Sequence, residues 1–105
     1  MTTYIITVPG TFLSEPTDAA RSTIEARLRP GDPQRTPLGR AEDLDILSVN
    51  DDGTFGVRLE VEADDSHSAE DRAKRAVTAA FAAAGVSESD APLGPAVVTG
   101  IDTQA

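Results

Sequence analysis

Histidine occurs once in this chain of 105 residues, at position 67, and cysteine does not occur at all. Acid–base and nucleophilic chemistry therefore have few places to sit. His67 lies in the run Asp64-Asp65-Ser66-His67-Ser68, whose residue types match a Ser-His-Asp set. Such triads are assembled from separate segments, however, and neighbours at the start of a helix cannot reach one another in the required geometry. Ser66 and Ser68 are better explained as helix caps, with Glu70 and Asp71 in the first turn. His67 is then expected to be exposed where the helix begins, and no residue is assigned a catalytic role. Without Cys there is also no disulfide framework and no zinc–thiolate site.

A second candidate is the stretch SVNDDGTFGVRLEVEADD, residues 48–65, with six carboxylates at Asp51, Asp52, Glu60, Glu62, Asp64 and Asp65. A helix–loop–helix calcium loop needs oxygen ligands at positions one, three and five, Gly at six and a bidentate Glu at twelve. With Gly53 at six, Ser48, Asn50 and Asp52 fall in place, but Leu59 takes position twelve. The final ligand is missing, and the flanks read as strands. Asp52-Gly53 is instead a strong hairpin-turn pair.

Two registers follow. A two-residue turn sets Leu44, Ile46 and Ser48 against Val61, Leu59 and Val57, and opposes Asp45 to Glu60 and Asp43 to Glu62. A four-residue loop over 50–53 opposes Ile46 to Val57 and pairs Asp45 with Arg58. Charge favours the second and turn propensity the first. Either register expects Asp43, Asp45, Glu60 and Glu62 on the face of the sheet away from the helices. That is a solvated acidic face, or at most a weak patch for a divalent cation or a basic partner. No metal or other cofactor is implied.

The totals limit what these residues can belong to. The chain supports one compact domain, 1–105, because 105 residues are too few for two. Sixteen residues are Ala, and Leu, Ile, Val and Phe together number 23, so the core must rely partly on close Ala packing. The formal charge of −9 repels phosphate backbones and anionic headgroups, which argues against nucleic acid and membrane surfaces as partners. No apolar run reaches the length of a membrane span, and MTTYIITVPG lacks the basic region and cleavage site of a signal peptide. A cytoplasmic protein is expected. Lys74 is the one lysine beside eight arginines, which reads as the coding bias of a high-GC bacterial genome.

The elements that must position any site are legible from periodicity. TYIITV, residues 3–8, is a β-branched and aromatic strand that Pro9-Gly10 is expected to stop. Residues 17–29 put Ala20, Ile24 and Leu28 on one helical face, with Thr17 as N-cap and Pro30-Gly31 as terminator. A loop over 30–42, rich in Pro and Gly, carries Arg35 and Arg40, isolated positive charges able to bind an anionic ligand or to pair with the acidic sheet face of a second subunit. Two strands follow around the turn; in the second, Phe55, Val57, Leu59 and Val61 alternate with Gly56, Arg58, Glu60 and Glu62. A helix over 68–84 carries the stripe Ala69, Ala73, Ala76, Val77, Ala80, Phe81 and Ala84, with Gly85 at its end. A last strand is expected over 96–102.

This β-α-β-β-α-β order resembles the ferredoxin-like sandwich, an α+β fold. The resemblance implies a four-stranded antiparallel sheet of order 4-1-3-2 with both helices on one face. It carries no family motif and implies no activity. RNA-recognition modules share the order but need aromatics on the open sheet face, which this chain lacks. The stretch Val8-Pro9-Gly10-Thr11-Phe12-Leu13 is similar to the ligand-binding turn of ACT regulatory domains, which would make Pro9 and Gly10 ligand-binding residues. It departs from that turn because Ser14-Glu15-Pro16 intervenes before the helix. On the open face, the strand phase set by Leu44 and Ile46 turns Leu47 and Val49 outward, joined by Ile5 and Val98 or their neighbours. An apolar patch there marks an interface, and a homodimer packed sheet to sheet is expected. The reading is a non-enzymatic, acidic, homo-oligomeric binding module. The alternatives are a small dimeric α/β-barrel-like enzyme, with a cavity between sheet and helices and proton chemistry from His67 or an acidic residue, and an ACT-like small-ligand sensor.

Overall fold

The computed structural model describes residues 2–31 and 45–102. Strand β1 spans Thr2–Thr11, helix α1 Asp18–Leu28, a short 3-10 turn Arg29–Gly31, strand β2 Leu47–Val49, strand β3 Thr54–Ala63, helix α2 Ser66–Ala83 and strand β4 Val97–Asp102. The sheet is antiparallel throughout, in the order β2-β3-β1-β4, which is 4-1-3-2 from the opposite edge. This is the α+β class that the periodicity implies. Most of the 30–42 loop, with Arg35, Arg40, Asp43 and Leu44, lies outside the described residues.

Alternation fixes the faces. Tyr4, Ile6 and Val8 of β1 and Phe55, Val57 and Leu59 of β3 join Ile24 and Leu28 of α1 and Val77 and Phe81 of α2 in one buried cluster. Ala69, Ala73 and Ala80 complete the α2 stripe in that cluster, so Ala packing brings this helix close to the sheet. The three phenylalanines meet in a single group. Phe12 lies 4.4 Å from Phe55 and 5.9 Å from Phe81, and Phe55 lies 5.4 Å from Phe81, centroid to centroid.

The helix ends follow local chemistry. Thr17 Oγ1 accepts the Ala20 N–H at 3.1 Å, as expected of an N-cap. The α2 cap is Asp65, whose Oδ1 accepts the Ser68 N–H at 2.7 Å, where the sequence pointed to Ser66 or Ser68. A carboxylate does this work better than a hydroxyl, because it also meets the positive end of the helix dipole. At the other end Gly85 N–H donates to Ala82 and Val86 N–H to Phe81, the paired bonds that close a helix through a left-handed glycine.

The Asp65 cap has a pH signature. The hydrogen bond from the Ser68 amide holds its carboxyl below the usual range. A carboxyl whose folded pKa lies below its unfolded one contributes stability above the unfolded value, and that stability is lost as pH falls through the folded value. Melting temperature should therefore drop below about pH 4, the ordinary aspartate range. An Asp65→Asn variant, which keeps a cap but cannot titrate, should show a shallower acid limb in thermal melts followed by circular dichroism.

The hairpin takes neither of the two expected registers. Leu47 opposes Val57, Ser48 opposes Gly56 and Val49 opposes Phe55. Gly53 N–H donates to the Asn50 carbonyl at 3.0 Å and Asn50 N–H to the Thr54 carbonyl at 2.8 Å, leaving Asp51, Asp52 and Gly53 as a three-residue loop. Gly53 sits at φ +88, the left-handed position such a loop needs after its turn. Strand side chains have a period of two, so this one-residue difference moves the β2 side chains to the other face. Leu47 and Val49 point into the core, and Ser48 points out, where Arg58 Nη1 reaches its Oγ at 3.3 Å. Ile46, at a bend before β2, is buried with the core as well. Asp45 therefore does not meet Arg58.

The expected dimer patch dissolves with that phase. Val98 opposes Ile6 and packs against the core. Ile5 does lie on the outer face, opposite Glu60, yet it is 0% exposed and offers nothing to a partner. The described outer face is largely polar, with Thr3, Thr7, Thr11, Thr54, Arg58 and Glu62 in register across β1 and β3.

β1 also runs through Pro9 and Gly10, where a stop was expected, to pair Thr11 with Thr54. The Pro9 carbonyl accepts the Gly94 N–H at 2.7 Å. The N and O of a strand residue face the same neighbour, so the amide proline lacks would have pointed at the irregular 92–94 segment and not at β3. No bond of the main ladder is lost.

Candidate ligand cleft

At the end of the sheet where the β2–β3 turn meets the β1–α1 connection, three segments border an open cleft of about 490 Å³. The connection supplies Phe12, Glu15 and Pro16, α1 supplies Arg21, and the hairpin supplies Val49, Asn50, Asp51, Asp52 and Gly53. Phe12 N–H donates to the Gly53 carbonyl at 2.8 Å, which ties the turn to the connection.

Side-chain hydrogen bonds brace the turn. Thr54 donates to Asp52 Oδ1 from its hydroxyl at 2.6 Å and from its amide at 3.0 Å, and Asn50 Nδ2 donates to the same hydroxyl at 2.9 Å. The hydroxyl bond, and then the amide bond, hold the Asp52 carboxyl below the usual range, so it is ionised at neutral pH. Asp51 and Glu15 stand exposed on the rim, whereas Arg21 is half-buried. Arg21 forms no ion pair among the described residues. The cleft thus combines one guanidinium with no ion pair among the described residues, three carboxylates, and the apolar side chains of Phe12, Val49 and Pro16.

The residues singled out from sequence fall largely elsewhere. His67 is exposed in the first turn of α2 and does not line the cleft. Pro9 and Gly10 are strand residues, and of the ACT-like stretch Phe12 alone reaches the cleft. Asp45 precedes β2 and is exposed, Glu60 is half-buried on the outer face, and Glu62 beside it is exposed. Among the described residues no three His, Asp or Glu side chains gather in a group able to hold a metal ion. Arg21 was legible only as part of the polar face of α1. Nothing in its local sequence indicates that the turn's carboxylates come to share its cleft.

No family model, curated protein or solved structure matches this chain. Among the described residues no helix is long and apolar enough to cross a membrane.

Proposed function

We propose that this chain is a non-enzymatic binding module whose ligand seat is the cleft at the hairpin turn. The observation that carries the reading is the half-buried Arg21, which forms no ion pair among the described residues, within a cleft of about 490 Å³ that also presents Glu15, Asp51 and Asp52. That volume lies in the range of small-molecule sites. A guanidinium recognises a carboxylate through two parallel N–H donors. The rim carboxylates suit an ammonium group, and Phe12, Val49 and Pro16 suit a short apolar substituent. A small apolar amino acid combines all three, which brings this proposal close to the small-ligand sensor alternative. The form of the enzyme alternative that relies on His67 loses ground, because His67 is exposed and does not line the cleft.

Isothermal titration with L-valine, its N-acetyl derivative and its methyl ester tests the proposal. Valine should bind, and each derivative, lacking one of the two charges, should bind at least about tenfold more weakly, the equivalent of one lost charge-assisted hydrogen bond. Arg21→Ala should abolish the difference between valine and its methyl ester. Equal binding of all three compounds, or none of any, contradicts the assignment.

A further inference from the structure

The large exposed apolar residues of the sheet are Val97, 49% exposed, and Ile101, 54% exposed, and both belong to β4. This strand lies at the edge of the sheet, paired to β1 on one side, and its six residues VVTGID include no Pro, Lys or Arg. Those are the residues that commonly guard an edge against pairing. β2, the other edge, is only three residues long.

We infer that β4 pairs antiparallel with β4 of a second copy of this chain, joining two sheets into one. The strand's own irregularity selects the occupant. Val97 opposes Thr7 on the outer face, while Val98 opposes Ile6 and Ile101 opposes Tyr4 on the core face, because the register shifts between Ile5 and Ile6. Thr99 is the extra residue of this bulge, and its hydroxyl bonds that of Thr7 at 2.9 Å on the outer face.

Two copies related by a two-fold axis perpendicular to the sheet must pair residues of the same face. Setting Val97 against Ile101 of the second copy pairs opposite faces. Setting Thr99 against Ile101 does the same. The register between these pairs Val98 with Ile101 on the core face and Thr99 with Gly100, and every face assigned above agrees. Only this register pairs all six residues of the strand, and in it every face agrees, a self-complementarity that an unrelated peptide has no reason to match. Asp102, the strand's one ionisable residue, falls at opposite ends of the pair, so the two copies bring no like charges into direct opposition. Ile101 leaves solvent by packing beside Val98 of the second copy.

Light scattering after size exclusion should return twice the 11.0 kDa chain mass for the wild type, and the single-chain mass for Ile101→Lys at the same concentration. Ile101 is exposed, so this variant should keep its circular dichroism spectrum. Because the chain lacks Cys, the double variant Val98→Cys/Ile101→Cys reports the register. It should oxidise to a covalent dimer, whereas Val97→Cys/Ile101→Cys should not. A wild type that stays monomeric up to about 1 mM, the weak limit of specific association, overturns the inference and leaves the edge to a strand from another protein. An Ile101→Lys variant with unchanged dimer mass also overturns it. These outcomes are independent of whether the cleft binds an amino acid.

Discussion

Phe55→Ala should lower stability by about 3–5 kcal/mol, the usual loss when a buried phenylalanine is truncated. Phe55 is 3% exposed and touches both other phenylalanines, so removing its ring leaves Phe12 and Phe81 in contact only with each other within the group. Single domains of this size are stable by only about 5–15 kcal/mol. The loss should shift the thermal midpoint down by roughly 15–25 °C, read by circular dichroism or calorimetry. Phe12 lines the cleft, so the damage should extend to ligand binding in the fraction that remains folded. A change of only a few degrees would show that the three rings do not form the centre of the core.

Gly10→Ala should destabilise through the same ring. A Cβ at position 10 would collide with the Cζ of the Phe55 ring and lie 2.9 Å from its Cε1 and 2.8 Å from the Pro92 carbonyl oxygen. Overpacking of this kind costs about 1–3 kcal/mol. The two collisions differ in what can yield. The ring can be trimmed by substitution, while the backbone oxygen is held by the Thr11 N–H at 3.2 Å. In a Phe55→Leu background, Gly10→Ala should therefore cost less than in the wild type without becoming neutral, a coupling that a double-mutant cycle in urea resolves. A Gly10→Ala variant as stable as the wild type would contradict the close approach of β1 to Phe55.

These two positions also show where sequence reasoning succeeds and stops. The inward face of β3 was legible because Phe55, Val57 and Leu59 alternate with polar residues over a long run. The α2 stripe was legible because its period is helical and Gly85 marks its end. The β2 phase was not. Ile46, Leu47 and Val49 are apolar with only Ser48 between them, so alternation could not choose a face, and loop length had to decide. Asn50-Asp51-Asp52-Gly53 is compatible with several loops, and the left-handed Gly53 selected the three-residue one. Every inference that rested on that phase, from the Asp45–Arg58 pair to the Leu47 and Val49 interface, moved with it. Pro9-Gly10 misled for a related reason: a proline breaks a strand only when its missing amide faces a ladder partner. The cleft was invisible from sequence because Glu15, Arg21 and Asp51 come from three segments and share no local motif.

The functional account places a small amino acid between Arg21 and the carboxylates of the hairpin turn. Amide chemical-shift mapping of the ¹⁵N-labelled chain during titration with L-valine tests that placement most directly. The account predicts saturable shifts concentrated at residues 12–21 and 49–54, absent from the Arg21→Ala variant. Shifts that cluster elsewhere, or that persist in Arg21→Ala, would contradict it.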